Sequence, residues 1–393
     1  MGISEDEKYS IGFDSIGHYL YKLMASIKLL ANLRVISQKH KEAWGEKKSL
    51  AKIVRDMLCL IWNKRAWVEA HMDIHNYIED YFVERLFKVS HSVNDYIIEG
   101  EGIRTMIAAN LPFLKKVISL NSKQYFHKFC EKHNLPHVQC WGIIMPMDGK
   151  IVWRNTQGVI LPFKELLKLQ KVFAKTEYGT HGKGCFLIEY SEADNVFYIN
   201  SKRCSEKELL QYITDEMLVE TYVENHESLK SLHPSSLNTI RMLTLKKKEG
   251  IVLHASFLRI GTGGRKVDNF NSCGIGVCVS RDGSLSTVGV CKDYTKQEYL
   301  QHPDSQVLFS SVKIPYYKEC VELVLAAHRK YSRVYGVGWD VAVTSKGPVL
   351  IEANPYFGFD LMQALDVPFR DVIENEFVEC AKRNVKLTKS VHV

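Results

Sequence analysis

The strongest constraint on this chain lies near its end, where two apolar strands meet at a tight turn. Gly336-Val337-Gly338-Trp339-Asp340-Val341-Ala342-Val343 leads through Thr344-Ser345-Lys346-Gly347-Pro348 into Val349-Leu350-Ile351-Glu352-Ala353-Asn354-Pro355. Strand side chains alternate between faces, so a hairpin centred on Lys346 sets Asp340 opposite Glu352 and puts Asn354 on Glu352's face. Two opposed carboxylates repel by about 0.2–1 kcal/mol on an open sheet and by more when buried. Embedded in Val, Leu and Ile, they call for a cation. Two carboxylates and an amide oxygen are hard ligands that suit Mg²⁺. The alternative is an edge hairpin with solvated acids, and the apolar flanks argue against it.

Three further stretches carry chemistry. Val172 to Ile188 contains Lys175, Gly179, Gly182, Lys183 and Gly184 between β-like runs. It is not a P-loop: only two residues separate the first two glycines, and Gly184 follows Lys183 where Ser or Thr is required. Strand, glycine loop and strand suit a flap whose N–H groups close over phosphates, with Lys175 as a point charge; an ordinary hairpin loop is the other reading. Leu218-Val219-Glu220-Thr221-Tyr222-Val223-Glu224-Asn225-His226-Glu227 is an apolar strand with an acid-rich exit, compatible with adenine against the backbone and an acid on ribose hydroxyls. Arg241 and Arg259 each interrupt an apolar strand. A buried guanidinium is costly unless paired, so each either forms a structural salt bridge or binds an anion. His71 and His75 stand at i, i+4, but Met72 replaces the Glu of HExxH and no third ligand is evident, so no zinc site is expected.

The 393 residues are enough for two or three domains. Residues 10–118 read as helical, with Ile16, Leu20, Leu23, Ile27 and Leu30 at steps of four and three. From about Val138 short β-rich runs alternate with helical patterns at 164–170, 205–213 and 316–332, which implies a mixed α+β chain. The net charge of +7 is uneven: residues 22–65 hold eleven Lys/Arg against three acids, or +8, leaving the rest at −1. Either these cations form the wet face of helices packed on the core, or the segment docks on anionic lipid. Nucleic acid is not expected, because Trp44 and Trp62 are its only stacking groups. The ten cysteines lack CxxC spacing and no signal-peptide pattern opens the chain, so reduced thiols in a cytoplasmic protein are expected, peripheral at the inner membrane face if the basic segment docks. Asp6 stands where myristoylation favours Ser or Thr. No apolar run is long enough to span a membrane.

Taken in order, Lys175, Glu220, Arg241 and Asp340/Glu352/Asn354 resemble the ATP-grasp superfamily. Ser236 to Arg241, Gly263 to Phe270 and Ile351 to Pro355 more narrowly resemble its sugar-transfer-associated members, relatives of glutamate-ligase-like proteins found with bacterial surface-polysaccharide genes. The resemblance covers about residues 85–385. It implies an α+β fold of two subdomains gripping ATP, a lid at about 138–222 and a metal subdomain at about 226–385, within a domain spanning 119–393 and preceded by a helical region over 1–118. It implies Lys123, Lys175, Gly182, Lys183, Gly184, Glu220, Tyr222, Val223 and Glu227 around ATP, and Asp340, Glu352 and Asn354 around Mg²⁺. The sequence departs from relatives in Ser122 for Asp, Thr176 for Pro, and the absence of an Arg two residues before Asp340. Arg241 or Arg259 is expected to supply that missing charge.

The implied reaction is ATP-dependent ligation of a carboxylate to an amine through an acyl phosphate. Lys175 would act on the phosphates, and Arg241 and Arg259 would hold carboxylate and developing phosphate. Asp268 and Asn269, with Arg259, would shape the acceptor pocket. The substrates implied are a sugar carboxylate such as a uronic acid, free or carrier-linked, and an amino acid or amine, in capsule or surface-polysaccharide synthesis. Phosphoryl transfer to a sugar hydroxyl and a nucleotide-binding scaffold of a glycan-assembly complex remain alternatives.

Overall fold

The computed structural model describes residues 16–62, 73–97, 105–107, 109–110, 120, 122–169, 171–177, 184–266, 268, 270, 273–332 and 334–378. Four helices come first: α1 (Ile16–Ala31), α2 (Leu33–Glu42), α3 (Leu50–Trp62) and α4 (Ile74–Val83). Ile53, Met57, Leu60 and Ile61 repeat at helical spacing along α3 and are buried with Ile36, Ile78 and Phe82 in a core of their own. Asp73 caps α4 by accepting from the backbone N–H groups of His75 and Asn76, a contribution of about 1 kcal/mol. This helical region is tied to the rest of the chain. Tyr294 joins its core, Lys88 lies 2.7 Å from Glu298, and the Arg370 guanidinium donates to the Tyr96 carbonyl at 2.7 Å.

An eight-stranded sheet follows: β1 (Cys140–Met147), β2 (Lys150–Arg154), β3 (Ile160–Pro162), β4 (Val172–Thr176), β5 (Cys185–Ser191), β6 (Val196–Ile199), β7 (Lys202–Cys204) and β8 (Met217–Thr221), in the order β3-β2-β1-β8-β4-β5-β6-β7. Short helices at Phe163–Leu167 and Glu206–Tyr212 cover its apolar side. Helix α5 (Lys123–Lys132) precedes this sheet, and the Ser122 hydroxyl caps it by accepting from the Tyr125 N–H.

A second sheet of six antiparallel strands holds β9 (Thr239–Lys247), β10 (Gly250–Ile260), β11 (Ile275–Val279), β12 (Leu285–Cys291), β13 (Gly336–Thr344) and β14 (Gly347–Asn354), in the order β12-β11-β10-β9-β13-β14. Its two faces follow from strand alternation. Ile240 and Met242, Leu258 and Ile260, and Val337, Trp339, Val341 and Val343 are buried on one side with Cys320, Val324 and Ala327 of helix Tyr317–Lys330. Fully burying each such aliphatic side chain contributes about 1.5–3 kcal/mol. The intervening residues, Thr239, Arg241, Leu243, Phe257, Arg259, Gly338 and Asp340, line a cleft on the other side.

In β14 the alternation is reset. The turn pairs Thr344 with Gly347, a register that would put Ile351 opposite Asp340 and Glu352 on the helix-covered face. A bulge at Ile351 shifts the pairing by one residue, so that Val341 pairs with Leu350 while Asp340 pairs with Glu352. The expected pairing of the two acids therefore holds, but through the bulge and not through a turn centred on Lys346.

A second bulge, between Cys140 and Gly142, bends β1 where it meets β8. Gly142 has φ +118°, and a Cβ there would lie 2.1 Å from the Arg154 carbonyl oxygen. We expect Gly142→Ala to lower unfolding stability by about 1–3 kcal/mol, read from denaturant midpoints; an unchanged midpoint would show that the bulge tolerates a side chain.

Candidate active site

A cleft of about 530 Å³ is lined from both sheets. The six-stranded sheet supplies Arg241, Arg259, Asp340, Glu352 and Asn354, with Asp268 from the glycine-rich arm that follows β10. The eight-stranded sheet supplies Phe173, Lys175, Cys185, Leu187 and Glu220, then Tyr222 and Val223 where β8 exits. Lys123 enters from the first turn of α5.

Asp340 is the centre of the charge arrangement. Arg241 donates through Nε at 2.5 Å and Nη2 at 3.2 Å to its two oxygens, and Arg259 Nη2 lies 2.9 Å from Oδ2. Burial alone would push the Asp340 carboxyl up, but the two guanidiniums outweigh it and hold it below the usual carboxylate range. Both arginines thus pair with Asp340 and neutralise its charge. Two residues before Asp340 is Gly338, and a Cβ there would stand 3.2 Å from Arg241 Cδ and 2.9 Å from the Phe357 Cβ. The bare backbone leaves the neighbouring strand's arginine room to reach Asp340.

Arg259 also donates to the Thr239 hydroxyl at 2.6 Å, and that hydroxyl and the Thr239 N–H both donate to Asp268 Oδ2, at 2.5 and 2.8 Å. Burial raises the Asp268 carboxyl, with Arg259 and Thr239 opposing. Thr239 is an addition to the sequence reading, which overlooked its place on Arg241's face two residues away.

Glu352 is placed differently. It makes no hydrogen bond or ion pair among the described residues, and burial together with the facing Asp340 raises its carboxyl above the usual value. The side-chain nitrogen of Asn354, next on the same face, is buried and has no partner among the described residues. These donors fit a Mg²⁺ held by one or two carboxylates, an amide and phosphate oxygens. Asp340 would share its oxygens between the cation and the two arginines, as the several lone pairs of a carboxylate allow. Among the described residues no group of three or more His, Cys, Asp or Glu is placed to hold a metal.

Across the cleft, Lys175 and Glu220 are both buried and 2.5 Å apart, and His127 Nε2 lies 2.6 Å from the same Glu220 oxygen. Burial favours the neutral forms of both, but their mutual attraction wins, raising Lys175 and lowering Glu220. Glu220, expected on the nucleotide, is thus held by the Lys175 ammonium and the His127 ring. Lys123 donates to the Glu177 carbonyl at 2.9 Å, and Ser122 Oγ donates to the Glu177 carboxylate at 2.6 Å. Ser122 therefore both caps α5 and holds the Glu177 side chain just after β4. His127 is one helical turn beyond Lys123 and was discoverable by that spacing; Glu177 carried no local signal.

Gly184 sits at the far base of the loop with φ +70°, close to Thr176; Gly182, Lys183 and Asn269 lie outside the described residues. The Tyr222 ring is covered by Lys171 Nζ at 4.2 Å. Glu227 is not in the cleft. His226 caps the short helix Glu227–Lys230, which turns Glu227 outward with 85% of its side chain exposed, 3.5 Å from Lys230.

The sequence profile of the sugar-transfer associated ATP-grasp family matches residues 111–367. No curated protein matches the chain. Among solved structures, it is similar to a D-alanine–D-alanine ligase from Bacillus anthracis, at 12% identity over 75% of this chain and 78% of that one, with a TM-score of 0.40. It is also similar to biotin carboxylase from Campylobacter jejuni, at 13% identity over 70% and 52%, TM-score 0.39. A third is N5-carboxyaminoimidazole synthetase from Staphylococcus aureus complexed with ADP, at 12% over 60% and 44%, TM-score 0.35. The chain spans less than half the length of that synthetase.

Two outcomes follow from the charges. Removing Asp340 leaves the half-buried Arg241 guanidinium without an ion-pair partner among the described residues and Arg259 with Asp268 alone, so Asp340→Asn should cost about 3–5 kcal/mol of stability; a loss under about 1 kcal/mol would show that neither arginine depends on it. Glu352 behaves oppositely. Its carboxyl is raised in the folded state, so its ionisation destabilises the fold as pH rises through that value, and the penalty is absent below the unfolded-state value of about 4.3. In nucleotide-free protein with chelator, Glu352→Gln should melt higher than wild type at pH 8, with the gain gone by about pH 4. A variant less stable at pH 8 would contradict this.

Proposed function

The chain belongs to the sugar-transfer associated ATP-grasp family, and from that premise we propose that it is an ATP-dependent carboxylate–amine ligase. The observation that carries the reading is the charge layout of the cleft: four cations, Lys123, Lys175, Arg241 and Arg259, ring a carboxylate pair and an amide on facing strands. A carboxylate is a poor electrophile. Phosphorylation by ATP gives one of its oxygens a leaving group, and an amine then displaces phosphate through a tetrahedral intermediate. The protein's task is positioning and charge stabilisation.

Lys123 and Lys175 reach the cleft from the side that carries the glycine loop, where they would neutralise phosphate oxygens. A polyphosphate beside Lys175 would compete with Glu220 for its ammonium, while His127 remains to hold Glu220. A bound Mg²⁺ on Glu352, Asn354 and Asp340 would supply charge neutralisation to the phosphates. Arg259 is fixed through Nε and Nη2 by Thr239, Asp268 and Asp340, which leaves Nη1 to meet the acceptor carboxylate. Arg241, steered over Gly338, would face the developing phosphate. Beyond Arg259 the cleft continues between Leu243, Phe257, Phe270 and Phe357, with Lys266 and Lys292 also lining it. Apolar walls with peripheral cations suit a sugar acid, and the acceptor we favour is a uronic acid, amidated by an amino acid or amine during surface-polysaccharide assembly.

The test is release of ADP and phosphate from MgATP with a panel of uronic acids paired with amino acids. Turnover should require both partners and should fall by about 10²-fold or more in Glu352→Ala. AMP as product, or a Glu352→Ala variant with unchanged turnover, would overturn the reading; ADP with a phosphorylated sugar and no need for amine would replace it by phosphoryl transfer.

A further inference from the structure

Helix α1 has two apolar faces and no acidic residue. One face is spoken for: Ala25 and Leu29 are buried in the helical core, alongside Ser26 and Lys22. The other is not. Leu20, Leu23, Met24, Ile27 and Leu30 are 47–60% exposed, and at 3.6 residues per turn they form a continuous arc of about 120°. Tyr19 and Tyr21 are exposed near its start, and Trp62, whose indole N–H donates to Ser26 Oγ at 2.9 Å, is exposed beside the helix. A helix that is apolar all round is ordinarily covered on both sides.

The surrounding charge says by what. No Asp or Glu occurs between Asp14 and Glu42. Some of the basic residues of this region turn inward: Lys48 pairs with Asp56 at 2.8 Å, and Lys47 donates to the His40 and Ala43 carbonyls at the end of α2. Lys28, Arg34, Lys41, Lys52 and Arg55 remain exposed on α1, α2 and α3. A second copy of this chain packed on the same arc by two-fold symmetry would set two segments of +8 against each other, an unfavourable arrangement. An anionic bilayer satisfies arc and cations at once. With 16 residues α1 is too short to cross it, and no described helix is long and apolar enough to do so.

We propose that α1 is an interfacial membrane anchor, with its Leu20–Leu30 arc in the headgroup–acyl boundary and Lys28, Arg34 and their neighbours against lipid phosphates. Interfacial Tyr and Trp are at home at that depth. The inference is independent of the reaction assigned to the cleft.

The experiment is flotation of the full chain with vesicles of phosphatidylcholine alone or mixed with phosphatidylglycerol, at low and high salt. Binding is expected only to the anionic vesicles, weakening as salt rises. Leu23→Ser/Ile27→Ser and Lys28→Glu/Arg34→Glu should each weaken it about tenfold or more. All four positions are exposed, so thermal midpoints should stay at the wild-type value. No binding at low salt, or equal binding to neutral and anionic vesicles, would overturn the proposal. So would a dimer in light scattering that Leu23→Ser/Ile27→Ser converts to monomer while vesicles bind nothing.

Discussion

The structure depends on one buried ionic cluster, in which two guanidiniums meet one carboxylate on the cleft face of the six-stranded sheet. Taking an ion out of water costs several kcal/mol even after relaxation. Asp340 is offset by Arg241 on the adjoining strand and Arg259 one strand further. Asp268, 3.7 Å from Arg259, completes a set of two guanidiniums and two carboxylates, and the neighbouring acid, Glu352, makes no hydrogen bond or ion pair among the described residues. Stability is thus concentrated at Asp340 and withheld from Glu352. That division is what a site needs if one acid is to hold the arginines in place while the other waits for a cation.

The opposite wall follows the same logic at lower charge. Lys175 and His127 Nε2 meet on one oxygen of Glu220 in a compact set. In the proposed function a polyphosphate would take over Lys175 while His127 stays on Glu220. Lys123 is fixed through the Glu177 carbonyl at the start of the glycine loop, so the two lysines are coupled to the element that would close over phosphates. The helical region is joined to the six-stranded side through Tyr294, Glu298 and Arg370, so its basic surface is carried by the same body as the cleft.

Much of this was legible in the residues, for reasons that differ by element. The pairing of β13 with β14, the acids on it and the arginines of β9 and β10 follow from alternation in strands too apolar to be anything but buried. Helices Glu206–Tyr212 and Tyr317–Lys330 fall within the stretches their periodicity marked, and Phe163–Leu167 overlaps its own, 164–170. The bulge at Ile351 was not visible, because nothing local distinguishes a bulged residue from its neighbours in an apolar run. Short strands such as β3, β7 and β11 also escaped, since three to five residues give alternation no room to declare itself. Partnerships between distant segments, His127 with Glu220 and Ser122 with Glu177, belong to tertiary packing. Glu227 was misjudged for a related reason: the acid-rich exit of β8 says nothing about the helix cap at His226 that turns it to solvent.

The central claim is that the cleft activates a carboxylate through an acyl phosphate, and isotope transfer reads that most directly. With a uronic acid labelled with ¹⁸O in its carboxylate, an amine partner and MgATP, the phosphate released should carry one ¹⁸O atom from the acid for each amide formed. Amide accompanied by unlabelled phosphate would contradict the account.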